Sequence, residues 1–306
     1  MDQKLLDQIK AKYESLGENP ETYLKGLLEA RPVTYWDYVE VDTLLSLQKP
    51  RTGYKDEEIF IMYHQVTELT LKLILHELKQ ITGENDPDAM AIAAKVRRVI
   101  RYTDMLITSY DVMRDGMDYD DYNAFRMTLA PASGFQSAQF RFIELHCTPL
   151  PNLINEHGKR HLPDNPSVED YFRNIYWRDA GYSRETGKTT LTLNLFEEKY
   201  LDSFIALAKA LAGKTLDDKM RNLAEKAPPE LTAALRDFDR FYNIEWPLVH
   251  LRTAQHYLDR KGETKAATGG SQWKKYLHPK YQQRKFFPSL WTDEEKDNWG
   301  NDPGQF

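Results

Sequence analysis

Apolar residues recur three and four positions apart through almost the whole of this 306-residue chain, and few segments alternate strictly. That spacing lines one face of an α-helix rather than one face of a strand. The chain therefore reads as all-α. Helices are expected over 3–15, 21–29, 36–48, 56–82, 87–113, 119–129, 134–146, 167–176, 194–212, 216–225 and 229–260. The two longest, 56–82 and 229–260, are apolar on more than one face, which marks central helices with neighbours on several sides. Pro247 interrupts the second of these. Either it kinks the helix ahead of His250, or one helix stops near Ile244 and another begins at the proline.

Between about residues 148 and 193 the chain turns rich in proline, glycine, asparagine and charge, and reads as a long connection with one short helix. The aromatic residues on both sides look like parts of one core, so a single domain over 1–306 is expected: a helical bundle, ample in core at 41% hydrophobic residues. The segment 292–306 reads as a flexible, exposed tail. A net charge of −6, with bases interspersed among acids, argues against nucleic-acid or anionic-membrane partners and favours a small ligand. Cys147 stands alone and cannot form an intrachain disulfide. The N-terminus has no signal-peptide core, and no run approaches the roughly 18 apolar residues of a membrane span. A cytoplasmic protein is expected.

The residues with most chemical content lie in NAFRMTLAPASGFQSAQFRF at 123–142. Arg126 and Arg141 interrupt patterns that would otherwise be apolar, and a cation there is costly unless something anionic meets it. Each could also pair with one of the 47 acidic residues or snorkel to the surface. His64 shares a helical stripe with Phe60, Thr67, Leu71 and Leu75, and His250 shares one with Trp246, Thr253, Ala254 and Tyr257. Two such histidines suit opposite sides of a flat prosthetic group, one ligating iron. Each alone reads more readily as a core histidine bonded to a neighbour, and spacing does not pair them. His157 and His161 are four apart, but Gly158 and nearby prolines put them in a solvated loop; no HExxH occurs. ATGGSQW at 267–273 lacks the spacing of a nucleotide loop, and reads as a helix-entry turn whose Thr268 hydroxyl could also meet a polar ligand group. The acidic pairs Glu57-Glu58 and Asp120-Asp121 read as helix-start charges.

Taken together, VTYWDYVEVDTLLSLQKP at 33–50, FIMYHQVTELTLKL at 60–73, YNAFRMTLAPASGFQSAQFRFIE at 122–144, WPLVHLRT at 246–253 and ATGGS at 267–271 resemble the tryptophan 2,3-dioxygenase family, in the family's order, with the match running from about residue 31 to FFPSLW at 286–291. The resemblance implies a helical bundle enclosing a heme pocket, which cleaves the indole C2–C3 bond of L-tryptophan with O2. It also implies non-covalent heme b, one per subunit, and a homotetramer, with residues 1–30 packing on a neighbouring subunit. On the family's pattern His250 matches the axial ligand to heme iron, and His64 the distal histidine beside the indole N–H. Arg126, helped by Tyr122, matches the residue that binds the substrate carboxylate. Thr268 matches a residue near the substrate ammonium and carboxylate, Phe60 a wall of the indole pocket, and Ser133 a polar residue near the heme. Tyr35 and Tyr38 match aromatics that reach into a neighbouring subunit's site.

The chain departs from common family patterns in having Thr70 where many members have Trp, and Lys265-Ala266-Ala267 where they often have Lys-Arg-Gly. Its link from His250 to Thr268 is also longer. The alternatives are a related heme-dependent monooxygenase acting on an indole or tryptophan derivative, a non-catalytic heme sensor, and a helical interaction protein without cofactor.

Overall fold

In a computed structural model of the chain, the structure describes residues 2–85, 87–183, 186–223, 226–260, 263–264 and 273–301. These residues form two compact units, Met1–Lys49 and Pro50–Phe306.

The first unit holds α1 (Gln3–Ser15), α2 (Pro20–Glu29), α3 (Tyr35–Val39) and α4 (Val41–Leu44). Side chains of Asp2, Asn19 and Thr34 cap the first three, accepting from backbone N–H groups that the helix leaves unpaired. Tyr13 stacks on Tyr23 with ring centroids 4.0 Å apart. None of the described residues 2–49 is buried. The helix expected over 36–48 is broken at Glu40, which takes a left-handed φ of 57°. Val39, Val41 and Thr43 surround the break, and β-branched residues lower helix propensity there.

The second unit carries the core. Its elements are α5 (Asp56–Gly83), α6 (Ala89–Thr108), α7 (Tyr110–Asp115), α8 (Tyr119–Phe125), α9 (Ala138–Cys147), α10 (Glu156–Lys159), α11 (Val168–Arg173), α12 (Leu191–Ala210), α13 (Leu216–Leu223), α14 (Pro229–Arg240), α15 (Trp246–Leu258), α16 (Trp273–Leu277), α17 (Pro279–Gln282) and α18 (Asp293–Asp297). A two-residue antiparallel pairing of Asp259–Arg260 with Glu263–Thr264 follows α15. The chain is all-α, as its periodicity predicts.

α5 is the central helix, packed along α6 and α9, while α6 also packs on α14, α9 on α12, and α15 on α6, α7 and α8. Three acids in the first turn of α5 favour the positive end of its dipole. One of them, Glu57, is buried and accepts from the backbone N–H groups of Arg51 (2.9 Å) and Thr52 (2.8 Å), tying down the entry loop. Leu71, Ile74, Leu78 and Ile81 of α5 then meet Ala93, Val96 and Val99 of α6 in one buried cluster.

Three further expectations need correction. The helix over 87–113 ends at Thr108 and restarts at Tyr110, because the Thr108 and Ser109 hydroxyls donate to the Asp104 and Leu106 carbonyls and compete for the backbone acceptors. Residues 148–193 are no bare connection, since Leu153, Ile154, Phe172, Ile175, Tyr176 and Trp177 are buried in the main cluster. Over 292–301 the segment expected to be a loose tail holds α18, opened by a Thr292–Glu295 capping box, and Trp299 is fully buried against Trp291. Residues 302–306 lie outside the described residues.

Between α14 and α15 the helix does not stop. Phe241–Glu245 forms a π turn that leads directly into α15, with Pro247 in the first turn. Proline has no N–H to offer the carbonyl four residues earlier, so a wider turn at this point accommodates the missing bond.

Candidate functional site

Two histidines and one buried arginine converge where α5, α7, α8 and α15 meet. His64 comes from the third turn of α5, and its Nδ1–H donates to the Phe60 carbonyl at 2.7 Å. That bond fixes the tautomer and leaves Nε2 as an acceptor. Burial holds the His64 pKa below the usual histidine value. His250, from the first turns of α15, has its pKa pulled to about 4, first by desolvation and second by the charge of His64. The two imidazoles are thus near enough to feel each other, and both are neutral at pH 7.

Although desolvated by the surrounding protein, His250 is an exposed residue. That combination describes a side chain facing an interior cleft.

Aromatic rings link the two histidines. Tyr63 lies 5.4 Å from His64 and 5.6 Å from Tyr110, and Tyr110 in turn stacks 5.4 Å from His250. On the other side Phe60 packs against His64 (4.1 Å), Tyr122 (6.1 Å) and Phe125 (5.6 Å). Tyr122 continues to Tyr257 of α15 at 4.2 Å. The Tyr257 hydroxyl donates to the Met113 carbonyl at 2.6 Å, which pins α15 to the end of α7. Tyr110 and Tyr257 are missing from the residues singled out by sequence. Tyr257 was visible on the His250 stripe, but its contact with Tyr122 arises only when α15 packs on α8.

Arg126 follows α8 and is buried at 4% exposure. The Tyr122 hydroxyl hydrogen-bonds to its side chain, and burial raises the Tyr122 pKa while Arg126 opposes that rise. Arg141 looked similar in the sequence but sits in a different place. It donates to Glu144 (3.3 Å) and to the Tyr176 hydroxyl (2.7 Å), with the rings of Phe135, Phe140, Tyr176 and Trp177 around it. Its anion is internal, and its role is structural.

Ser133 is half-buried ahead of α9. Its Oγ accepts from Phe135 N at 3.3 Å, and its own N–H donates to the Gln136 side chain at 3.2 Å, a capping box. Tyr35 and Tyr38 belong to the first unit and are 73% and 83% exposed. Thr268 lies outside the described residues. His157 and His161 sit together at the surface, with the His161 Nδ1–H donating to the His157 carbonyl. Among the described residues no three histidine, cysteine or carboxylate side chains form a metal cluster, and no helix is long and apolar enough to cross a membrane.

The donor set fits a heme. A neutral imidazole is the form that ligates iron, the surrounding walls are aromatic, and His250 could serve as the one protein ligand. The buried Arg126 beside Tyr122 and Phe60 suits a ligand with an anionic end and an aromatic body.

The family model described as tryptophan 2,3-dioxygenase matches residues 25–194. A tryptophan 2,3-dioxygenase from Bacillus thuringiensis subsp. konkukian is 31% identical over 272 residues, covering 85% of this chain and 91% of the relative. One from Ruegeria sp. is 31% identical over 274 residues, covering 86% and 92%. One from Polaromonas naphthalenivorans is 40% identical over a shorter stretch of 116 residues, 38% of this chain and 41% of that protein. The chain therefore belongs to the tryptophan 2,3-dioxygenase family.

Proposed function

We propose that this enzyme cleaves the indole C2–C3 bond of L-tryptophan with O2 in the cytoplasm, giving N-formylkynurenine, the first step of tryptophan catabolism by the kynurenine pathway. The observation that carries the reading is the convergence of neutral His64 and His250 with buried Arg126 in one aromatic cleft.

His250 would hold heme b, one per subunit, with Ser133 as a nearby polar group. When bound, the heme supplies the redox chemistry that activates O2. The protein's own residues bind and aim the substrate. Arg126, with the Tyr122 hydroxyl, takes the carboxylate of the amino acid in a charge-assisted pair. Phe60 walls the indole. His64 accepts the indole N–H on Nε2, because its Nδ1 proton is committed to the Phe60 carbonyl. It orients the ring through that bond and is not required to remove the proton. Thr268 completes the recognition of the ammonium group.

The assembly is a homotetramer in this reading, with Tyr35 and Tyr38 reaching a neighbouring subunit's site. Their exposure supports it, as does an apolar stripe on α5, where Met62, Val66, Leu69 and Leu73 are exposed at helical spacing.

The test is turnover of L-tryptophan by the heme-loaded protein under isotopically labelled O2, with product identified by absorbance and mass. N-formylkynurenine carrying both labelled atoms is expected. A singly oxygenated indole with an intact ring would move the enzyme to monooxygenation, and bound heme with no O2 consumed would make it a sensor.

A further inference from the structure

The direction of His250 depends on what happens seven residues earlier. An α-helix turns about 100° per residue, so the extra residue of a π turn changes which side chain of α15 faces the cleft. With α-helical bonding through 241–245, the ring carried by position 250 would swing away from Tyr110. Something must hold the wider turn in place.

Asn243, at the middle of the π turn, is buried and gripped from both sides. Its Nδ2 donates to Asp239 Oδ1 at 2.6 Å, and its Oδ1 accepts from Arg284 Nε. Asp239 is itself fully buried and saturated, accepting also from the backbone N–H groups of Phe286 (2.9 Å) and Phe287 (3.2 Å) and from Trp291 Nε1 (2.9 Å). Arg284 is anchored beyond Asn243 by Glu144 Oε1 at 2.8 Å. One carboxylate and one guanidinium, fixed to α14, α9 and the segment after α17, thus meet on a single amide.

We propose that Asn243 is a positioning residue for the heme ligand, and that the Asp239–Asn243–Arg284 clamp, rather than Pro247 alone, sets the rotational phase of α15 and so aims His250. The proposal rests on the heme reading above. It gives the C-terminal segment a part in heme binding without touching the heme.

The experiment uses full-length heme-loaded protein and two readouts besides turnover: the rate of heme transfer to excess apo-myoglobin, and the iron–histidine stretching band of the ferrous state in resonance Raman. Wild type is measured first. If it shows no iron–histidine band, the heme reading itself fails, which is a different result from any below.

Asn243→Ala is expected to release heme about tenfold faster or more, the order of loss that follows when a metal ligand is no longer held in orientation, and to shift or broaden the band. Ile92→Ala, a buried truncation on α6, controls for general loosening and is expected to leave the band unmoved. Pro247→Ala restores an N–H to the helix and is expected to keep both wild-type values, because the clamp still holds the turn. An unmoved band and release rate in Asn243→Ala would overturn the proposal. Should Asn243→Ala fail to fold, Pro247→Ala decides: wild-type values support the clamp, and a shifted band assigns the phase to the proline and overturns it.

Discussion

Replacing His250 by Ala should abolish stable heme binding, because it removes the imidazole that burial keeps neutral and available. Soret absorbance that survives gel filtration, together with ordinary turnover, would contradict the assignment. Arg126→Ala should weaken L-tryptophan binding by about 2–5 kcal/mol, the cost of breaking a buried charged pair. Equilibrium titration of the heme-loaded protein checks this, and an unchanged affinity would remove the carboxylate role. His146 makes a separate prediction about pH. Thr82 spends its hydroxyl proton on the Leu78 carbonyl and so accepts from His146 Nδ1 at 2.8 Å, and burial pulls the His146 pKa to about 4. The unfolded chain binds a proton here below about pH 6.5 and the native chain only near pH 4, so native stability falls as pH drops through that window. The loss at this site should approach about 3 kcal/mol at the acid end. Urea unfolding at pH 7 and pH 5 should show a smaller acid penalty in His146→Gln than in wild type; equal slopes would exclude the site. At this scale the sequence was half readable. Arg126 and Arg141 both interrupt apolar patterns, and what separates them is Tyr176, 35 residues from Arg141, which joins Glu144 in satisfying it. Glu144, only three residues away, was a local sign of that internal pairing.

The helices of the core were legible because their apolar periodicity is strong and their caps are local, as the Asp88 cap of α6 and the Thr190 cap of α12 show. Breaks were not, because each depends on a side-chain bond or a distant partner. Ser109 splits one expected helix through its own hydroxyl, and that split is what places Tyr110 beside His250. The proline at 247 announced an irregularity in the sequence, yet a kink, a stop and a π turn all satisfy the missing N–H equally well. The choice among them is made by Asp239 and by residues after 283. Removing that carboxylate in Asp239→Ala strands four buried donors, and should cost about 3–5 kcal/mol of stability. Urea unfolding followed by tryptophan fluorescence measures it, since Trp291 is one of the four. A loss below about 1 kcal/mol would mean that the four donors find other partners.

Across the whole molecule the burial is unevenly shared. The second unit encloses the aromatic core and the cleft, whereas none of the described residues 2–49 is buried and Leu27, Leu28, Tyr35 and Tyr38 are all exposed. A segment of that size with no core of its own has little to set against its chain entropy. If it orders against another copy, and the α5 stripe likewise meets a copy, the thermal midpoint should rise with protein concentration. Calorimetry over a hundredfold concentration range, with mass measured by light scattering, tests this. Val66→Glu combined with Leu69→Glu should lower both the mass and the concentration dependence, and a wild-type midpoint independent of concentration would count against the tetramer. The sequence could not expose this imbalance, because exposed and buried leucines are written alike. Its consequence reaches past folding: in the proposed assembly, a protein whose first 49 residues gain order from neighbours would be regulated by its own abundance, and falling expression would dismantle the substrate site before any chain unfolds.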